Sequence, residues 1–365
     1  MPLPSKSSSE PSLLKGLLSS PWLRPLNDTA AIDDFLGLVS PTLSLTRIRA
    51  RVVAARRETA DTRTLVLQPN RLWPGHRSGQ HVLVEVEIDG RRLRRTFSLS
   101  SPPRADGLVS ITVKKREGGK VSVWWNDAAR VGDVITLGAP AGDFVLPSLL
   151  PPRLVLLSAG SGITPLMAML RELAGSRHHS EVLFVHAARC REETIFAHEL
   201  EETARQDPRV VLRMRCSASE GRLDGEAMAA LALEAGDDPV FACGPSGFVD
   251  AIRRAWTARG RADRLHFESF GFPPRVVHDG VAQPITAAAA RTTFTAQAGQ
   301  SLLEAAEAAG LTPVHGCRMG VCHMCKCRKV SGVVRDLRDG HLSGEPGQMI
   351  QLCISTAASP VTLEL

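Results

Sequence analysis

Apolar and polar positions alternate between residues 46 and 150. Val82, Val84, Val86 and Ile88 share one face, and Val109, Ile111 and Val113 alternate with Ser110, Thr112 and Lys114. A period of two marks strands with one buried face. Asp89-Gly90 offers a hairpin turn, while Val131-Gly132-Asp133 and Gly138-Ala139-Pro140-Ala141-Gly142 punctuate the remainder. Short alternating strands with frequent turns predict an antiparallel barrel. At Pro151 the pattern changes. Leu154 to Leu157 is a continuous apolar run, as expected of a strand covered on both faces, and a glycine turn and a helix from Leu166 to Ala174 follow. Val182–Val185, Val210–Leu212 and Pro239–Ala242 repeat the strand pattern between helical stretches, the last helix running from Ser246 to Ala258. That alternation predicts an α/β domain with a parallel sheet.

The ends are different. Leu13, Leu14, Leu17, Leu18 and Trp22 recur at helical spacing, and a second helix is predicted from Thr29 to Val39, with Asn27, Asp28 or Thr29 as its cap. These helices read as an appendage packed on the body; the alternative is contact with a membrane surface, although Lys15 and Arg24 are its only cations in that stretch. Phe272-Pro273-Pro274-Arg275 reads as a linker. The expected organisation is therefore a helical extension (1–45), a barrel (46–150), a parallel-sheet domain (151–272), a linker (273–280) and a C-terminal domain (281–365).

Composition narrows the function. The 365 residues suffice for two or three domains, and 43% apolar and 22% charged residues are globular values. A balance of 44 basic against 38 acidic residues is too weak to argue for nucleic acid, and 11 Phe, 5 Trp and no Tyr leave little for base stacking. No apolar run approaches the ~20 residues that span a bilayer. The opening Met1-Pro2-Leu3-Pro4-Ser5-Lys6 leads into serines and Glu10, so a cytoplasmic protein is expected, with the membrane surface within reach of residues 1–45.

Five of the eight cysteines fall between positions 317 and 353. Cys317, Cys322 and Cys325 are spaced C-x4-C-x2-C, and Cys353 follows after 27 further residues, the spacing of a plant-type [2Fe–2S] ligand set. Gly316 and Gly320 suit a backbone that wraps sulfur closely. Four thiolates also suit structural zinc, but zinc sites usually use paired short hooks, and C-x4-C is an unusual one, which favours iron–sulfur. Cys327 duplicates Cys325 and is left as a bystander; Cys190 and Cys216 read as buried thiols. Residues 281–365 resemble a plant-type ferredoxin domain, with Gly299-Gln300-Ser301-Leu302-Leu303-Glu304-Ala305-Ala306 matching the helix before its cluster loop. The resemblance implies an α+β, β-grasp fold.

Arg95-Thr96-Phe97-Ser98-Leu99-Ser100 resembles the R-x-Y-S motif of the ferredoxin–NADP reductase family. There the Arg meets flavin phosphate, the aromatic packs on the flavin and the Ser hydroxyl points towards flavin N5; Phe97 keeps the ring and lacks the phenol. Gly118-Gly119-Lys120-Val121-Ser122 suits a pyrophosphate, with Ser122 able to cap the following helix, which favours FAD over FMN. Gly160-Ser161-Gly162-Ile163-Thr164-Pro165 resembles the family's GxGxTP turn, where Thr164 can cap and Pro165 can occupy the first helical turn. Cys243-Gly244-Pro245 resembles its CGP motif, where nicotinamide meets flavin. Phe267-Glu268-Ser269-Phe270 ends the domain where relatives carry an acid and an aromatic beside the flavin ring. The resemblance implies Ser98, Cys243 and Glu268 as catalytic residues, with Phe270 against the flavin. Arg189 and Arg191 after the second parallel strand and Arg222 after the third favour NADPH; NADH stays open, with Glu192 and Glu193 nearby.

Nicotinamide delivers electrons in pairs, a [2Fe–2S] cluster takes them singly, and FAD bridges the two. The chain order then implies NADPH, FAD, cluster and an acceptor outside the chain. Residues 46–365 resemble reductase components of oxygenases, hydroxylases and fatty-acyl desaturases, and Cys317-Arg318-Met319-Gly320-Val321-Cys322-His323-Met324-Cys325 looks closest to the partner of a di-iron acyl-CoA desaturase. Arg318, Lys326, Arg328 and Lys329 could meet an acidic partner. The alternatives are a reductase for a ring-hydroxylating or alkane oxygenase, or a redox-sensing or zinc-binding protein on a reductase scaffold.

Overall fold

The computed structural model describes residues 29–175, 179–270 and 280–365, apart from Cys317, Met319, Val321, Cys322 and Asp339. The helix expected around Leu13–Trp22 and the linker at Phe272–Arg275 lie outside the described residues.

Six strands form the first domain: β1 (Ile48–Thr59), β2 (Thr62–Pro69), β3 (His81–Ile88), β4 (Arg91–Ser98), β5 (Val109–Lys114) and β6 (Val134–Leu137), in sheet order β4-β3-β6-β1-β2-β5. All neighbours are antiparallel. The two edges meet where Leu99 bridges Ile111 and Ser100 N donates to Ser110 O, which closes the barrel. Asp89 and Gly90 both have positive φ, 51° and 69°, as a two-residue hairpin turn requires. Val82, Val84, Ile111 and Trp125 fill the interior. Ser110 and Thr112, expected on the wet face, are 8% and 4% exposed. Thr112 shares hydroxyl hydrogen bonds with Thr64 at 2.7 Å and Ser100 at 2.9 Å, so burial leaves these groups paired.

The second domain stacks β7 (Arg153–Ala159), β8 (Glu181–Ala188), β9 (Val210–Cys216), β10 (Val240–Pro245) and β11 (Leu265–Phe270) in the order β11-β10-β7-β8-β9, all parallel. The chain order reverses between β7 and β10. At such a point the flanking loops part and leave a crevice beyond the carboxyl ends of the strands. The helix after β7 spans Ile163–Gly175, three residues earlier than its apolar period suggested, because the glycine turn runs directly into it.

In the third domain β12 (Gln283–Ala287), β13 (Thr292–Ala296), β14 (Lys326–Ser331), β17 (Met349–Gln351) and β19 (Val361–Leu363) form a mixed sheet, with β15 (Val334–Asp336), β16 (Leu342–Ser343) and β18 (Ser355–Ala357) in a small second one. Only β12 and β19 run parallel in the larger sheet. A helix, Leu302–Ala308, packs Leu302, Leu303 and Ala305 into its core and starts with a capping box between Ser301 and Glu304. A mixed sheet grasping one helix is the expected α+β arrangement.

Helix α1 (Thr29–Val39) forms where its pattern predicts, but an ionic anchor holds it. Asp33 is fully buried and accepts from Ser44 Oγ at 2.9 Å, Leu45 N at 2.6 Å and Thr46 Oγ1. Burial pushes its carboxyl up, yet these hydrogen bonds outweigh it and bring the pKa from 3.8 down to about 2. Meanwhile Phe35, Leu38 and Val39 stand 66%, 84% and 70% exposed. Because the folded pKa lies below the unfolded one, the anchor acts fully above pH ~4 and fades as pH falls towards ~2. Asp33→Ala is expected to leave three donors unpaired, costing about 1–3 kcal/mol, and to remove that acid dependence. Hydrogen exchange over residues 29–46, measured from pH 2 to 6, checks both.

Candidate active site

Strand β4 ends at the seam between the first two domains. There a cavity of about 170 Å³ is lined by Thr96, Phe97 and Ser98 of the barrel and by Ser161, Thr164, Glu268 and Phe270 of the parallel-sheet domain. Four buried oxygens on its wall, Thr96 Oγ1, Ser98 Oγ, Ser269 Oγ and Glu268 Oε2, have no hydrogen-bond partner within the protein. Most buried polar atoms in folded proteins are paired, so four unpaired oxygens converging on one cavity fit the heteroatom-bearing edge of a bound ring system. Phe97 stacks obliquely on Trp125, with ring centroids 5.7 Å apart, which fixes the aromatic wall.

His81, which the sequence reading missed, completes this wall. The register of β3 with β4 sets it opposite Ser98, and its Nδ1 lies 3.3 Å from Glu268 Oε1 on β11. Its side chain is 5% exposed and that of Glu268 10%. Gly142 makes room for the ring: a Cβ there would lie 2.9 Å from two ring atoms. Three further contacts cross the same seam. Arg171 donates to Ser100 O while holding both Glu199 oxygens at 2.7 and 2.6 Å, Lys114 lies 3.3 Å from Glu193, and Arg56 lies 3.7 Å from Glu199.

At the outer end of the cavity, Arg95 is half-buried and donates only to the carbonyl of Arg94. Burial, and then the charges of Arg318 and Arg116, push its guanidinium below the usual arginine range. Like-charged groups gathered beside an exposed glycine turn, Gly118-Gly119, suit a dianionic pyrophosphate. Lys120 and Val121 open the helical turn that follows, with Gly119 as its N-cap. Ser122 is not the cap: its hydroxyl donates to Gly119 O and accepts from Arg116 N at 3.1 Å each, so it braces the turn from within.

The crevice between β7 and β10 receives the remaining motifs. Gly160-Ser161-Gly162 forms a 3-10 turn, and Pro165 sits in the first turn of the next helix, as expected. Thr164 does not cap it; its hydroxyl donates back to Ser161 O at 3.1 Å. A Cβ on Gly162 would lie 2.2 Å from the carbonyl oxygen of Cys243, so only glycine permits this approach of the GxG turn to Cys243-Gly244-Pro245. Cys243 pairs in register with Glu268, but its side chain is fully buried in the core rather than on the cavity wall. Burial and the Glu268 charge push its thiol well up, so it stays neutral. Beyond β8, Arg189 is 81% exposed and only 3.6 Å from Glu193, whereas Arg191 is held at both nitrogens by Glu201. Cys190 and Cys216 are half-buried rather than core thiols, because both sit at strand ends; Cys216 Sγ donates to Arg189 O at 2.9 Å.

In the C-terminal domain Cys317 and Cys322 lie outside the described residues. Cys325 and Cys353 are buried, with sulfurs 3.2 Å apart, although 27 residues separate them. Two thiols brought together from separate turns, Cys353 lying between β17 and β18 rather than on a strand, fit one side of an iron–sulfur cluster. Cys327 lies on β14, buried in the same core as Cys325 and Cys353, and burial pushes its thiol up to about 11. Arg318 is engaged by Glu307, at 2.8 and 2.6 Å, and by His315. Lys329 is fully buried and donates to Gly332 O and Glu345 O at 2.8 Å each, so it clips two loops together and cannot meet a partner.

Three family models match: an oxidoreductase FAD-binding domain over residues 49–146, an oxidoreductase NAD-binding domain over 156–254 and a 2Fe-2S iron-sulfur cluster binding domain over 285–358. The chain is 35% identical to the NADPH oxidoreductase of Mycobacterium tuberculosis, across 91% of this chain and 88% of the relative. It belongs to the ferredoxin–NADP reductase family, with a plant-type ferredoxin domain at its C-terminus. The glycine betaine monooxygenase reductase subunit of Chromohalobacter salexigens is 30% identical over 87% of this chain and 95% of its own. Phthalate dioxygenase reductase shares the fold, with a TM-score of 0.64 and 24% identity over 88% of this chain and 98% of that structure. The reductase is thus an NAD(P)H oxidoreductase that uses FAD and a [2Fe–2S] cluster.

Gly162→Ala is expected to keep FAD and yet slow NADPH-driven flavin bleaching at least about tenfold, since relieving the clash costs ~1–3 kcal/mol at the strand ends. Stopped-flow absorbance measures it. Cys353→Ser should lose the cluster's visible absorption and its iron, while Cys327→Ser keeps two irons per chain by metal analysis.

Proposed function

We propose that this reductase takes electron pairs from NADPH and hands single electrons to a separate di-iron desaturase acting on fatty acyl-CoA. The observation that carries the electron-relay part is the set of unpaired oxygens, led by Ser98 Oγ and Glu268 Oε2, converging on a cavity between a barrel and a nucleotide crevice. When bound, FAD would supply the exchange between paired and single electrons, and a [2Fe–2S] cluster would supply one-electron transfer.

The protein's own residues do the positioning. Arg95, Gly119, Lys120 and Val121, with Ser122 bracing the loop, would hold the pyrophosphate of FAD, while Thr96 and Ser98 would hydrogen-bond its ring edge. Phe97 and Phe270 would shut water from the ring faces. The turn Gly160-Ser161-Gly162, with Thr164 and Pro165 behind it, presents helix amides to the nicotinamide dinucleotide, and Gly244-Pro245 lets it approach. Glu268, held by His81, accepts a proton at Oε2. Cys243, kept neutral, adds no charge beside the reacting ring. On the exit side Cys317, Cys322, Cys325 and Cys353 hold the cluster.

The desaturase reading is supported by the resemblance of the Cys317–Cys325 loop and by the exposed apolar residues of α1, which suit work beside a membrane-bound partner. Among the described residues no helix is long and apolar enough to cross a membrane. An oxygenase acceptor is the second reading, favoured by a relative that serves as a monooxygenase reductase subunit. NADPH-driven desaturation of an acyl-CoA in membranes containing a candidate desaturase decides between them: turnover supports the first, and failure there with turnover by a purified oxygenase component supports the second. For the nucleotide, Arg189, 81% exposed and in a loose 3.6 Å pairing with Glu193, is a cation within reach of a 2′-phosphate. Arg189→Ala is expected to raise KM for NADPH about tenfold, ~1.4 kcal/mol, and to leave KM for NADH unchanged.

A further inference from the structure

The ferredoxin domain carries a cleft of about 510 Å³ that the flavin and nucleotide sites do not use. Every residue lining it belongs to this domain. Its apolar walls are Val314, Met324 and Met349, and Val314 and Met349 are 60% and 55% exposed. Lys326 and Arg328 stand two residues apart on β14, hence on one face, and the ladder pairs Arg328 with Met349. Both cations are exposed, and among the described residues lining the cleft Glu364 is the acidic side chain, 3.9 Å from Arg328.

The cleft backs onto the cluster. Met324 and Lys326 flank Cys325, and Leu352, on the cleft floor, precedes Cys353. Arg318, the loop residue whose charge reaches Arg95 of the barrel, does not line it. The cleft is therefore the open surface next to the buried thiols of Cys325 and Cys353.

Resting on the electron-relay reading above, we propose that this cleft is the docking site of the electron acceptor, and that the acceptor is a protein presenting an apolar residue ringed by carboxylates. An exposed apolar centre with a charged rim is the anatomy of a specific, short-lived protein contact. Cations at the rim favour acidic partners, steer their approach and reject basic ones. In each encounter one electron leaves the reduced cluster, the acceptor gains it, and no proton or covalent bond changes hands.

Two haem proteins of opposite charge serve as probes: the acidic soluble domain of cytochrome b5 and the basic cytochrome c. With the holoenzyme, Lys326→Glu/Arg328→Glu is expected to cut the second-order rate of cytochrome b5 reduction about tenfold, to abolish its fall with added salt, and to raise the rate with cytochrome c. Met349→Gln should slow both probes. Stopped-flow reduction of flavin and cluster by NADPH within the chain should stay at the wild-type rate in every variant. The proposal is overturned if the charge reversal leaves both probe rates and their salt dependence unchanged. It is also overturned if wild type reduces cytochrome c faster than cytochrome b5, or if sedimentation shows wild type dimeric and the double variant monomeric, since a second copy would then fill the cleft. A wild-type cluster that NADPH does not reduce would instead sink the relay reading, a result visible without either probe.

Discussion

Buried polar atoms without partners are the constraint around which this molecule is arranged. An unpaired buried hydroxyl or carboxylate oxygen costs on the order of 1–3 kcal/mol, and Thr96, Ser98, Glu268 and Ser269 contribute one each at the same seam. A folded chain keeps such a set only where something else satisfies it. The barrel and the parallel-sheet domain are accordingly built around a shared ligand, and the contacts of His81, Lys114 and Arg171 across the boundary keep the two halves in register when the ring edge is met. The cofactor is part of the interface between domains as much as a guest in one of them.

Charge is managed differently on the two sides of that ligand. On one side, burial and then the charges of Arg318 and Arg116 disfavour the charged form of Arg95, which an anion there would offset. Where the rings meet, one carboxylate, Glu268, is admitted, and the thiol beside it is buried deeply enough to stay protonated. Among the described residues lining the cavity, Glu268 is then the one acidic side chain.

The ferredoxin domain spends its cations unevenly. Lys329 is consumed inside, capping two carbonyls, and Arg318 is clamped by Glu307. Lys326 and Arg328 remain outside, next to exposed Val314 and Met349. Four basic residues around the cysteine motif look equivalent in a string of letters, but burial sorts them into a loop clip, a loop clamp and two exposed cations.

Local periodicity and local spacing determined much of this protein by themselves. The period-two runs, the apolar strand at Leu154–Leu157, the Asp89-Gly90 turn and the C-x4-C-x2-C spacing each act over a few residues, where backbone geometry dictates the outcome. The three domains, the cofactor classes and most of the site were legible for that reason. Strand pairing decided the rest. His81 reaches Ser98 only through the β3–β4 register and Glu268 only through the packing of one domain on another, and no local pattern encodes either. Thr112 became a buried cavity residue because a second domain covers the face its alternation would have left wet. Cys190 and Cys216 remained half-open because they lie at strand ends, and α1 turned its apolar side outward because Asp33 is what holds it. Side-chain chemistry is written in the sequence, but which groups meet, and which are shut off from water, is a property of contacts between segments far apart in the chain.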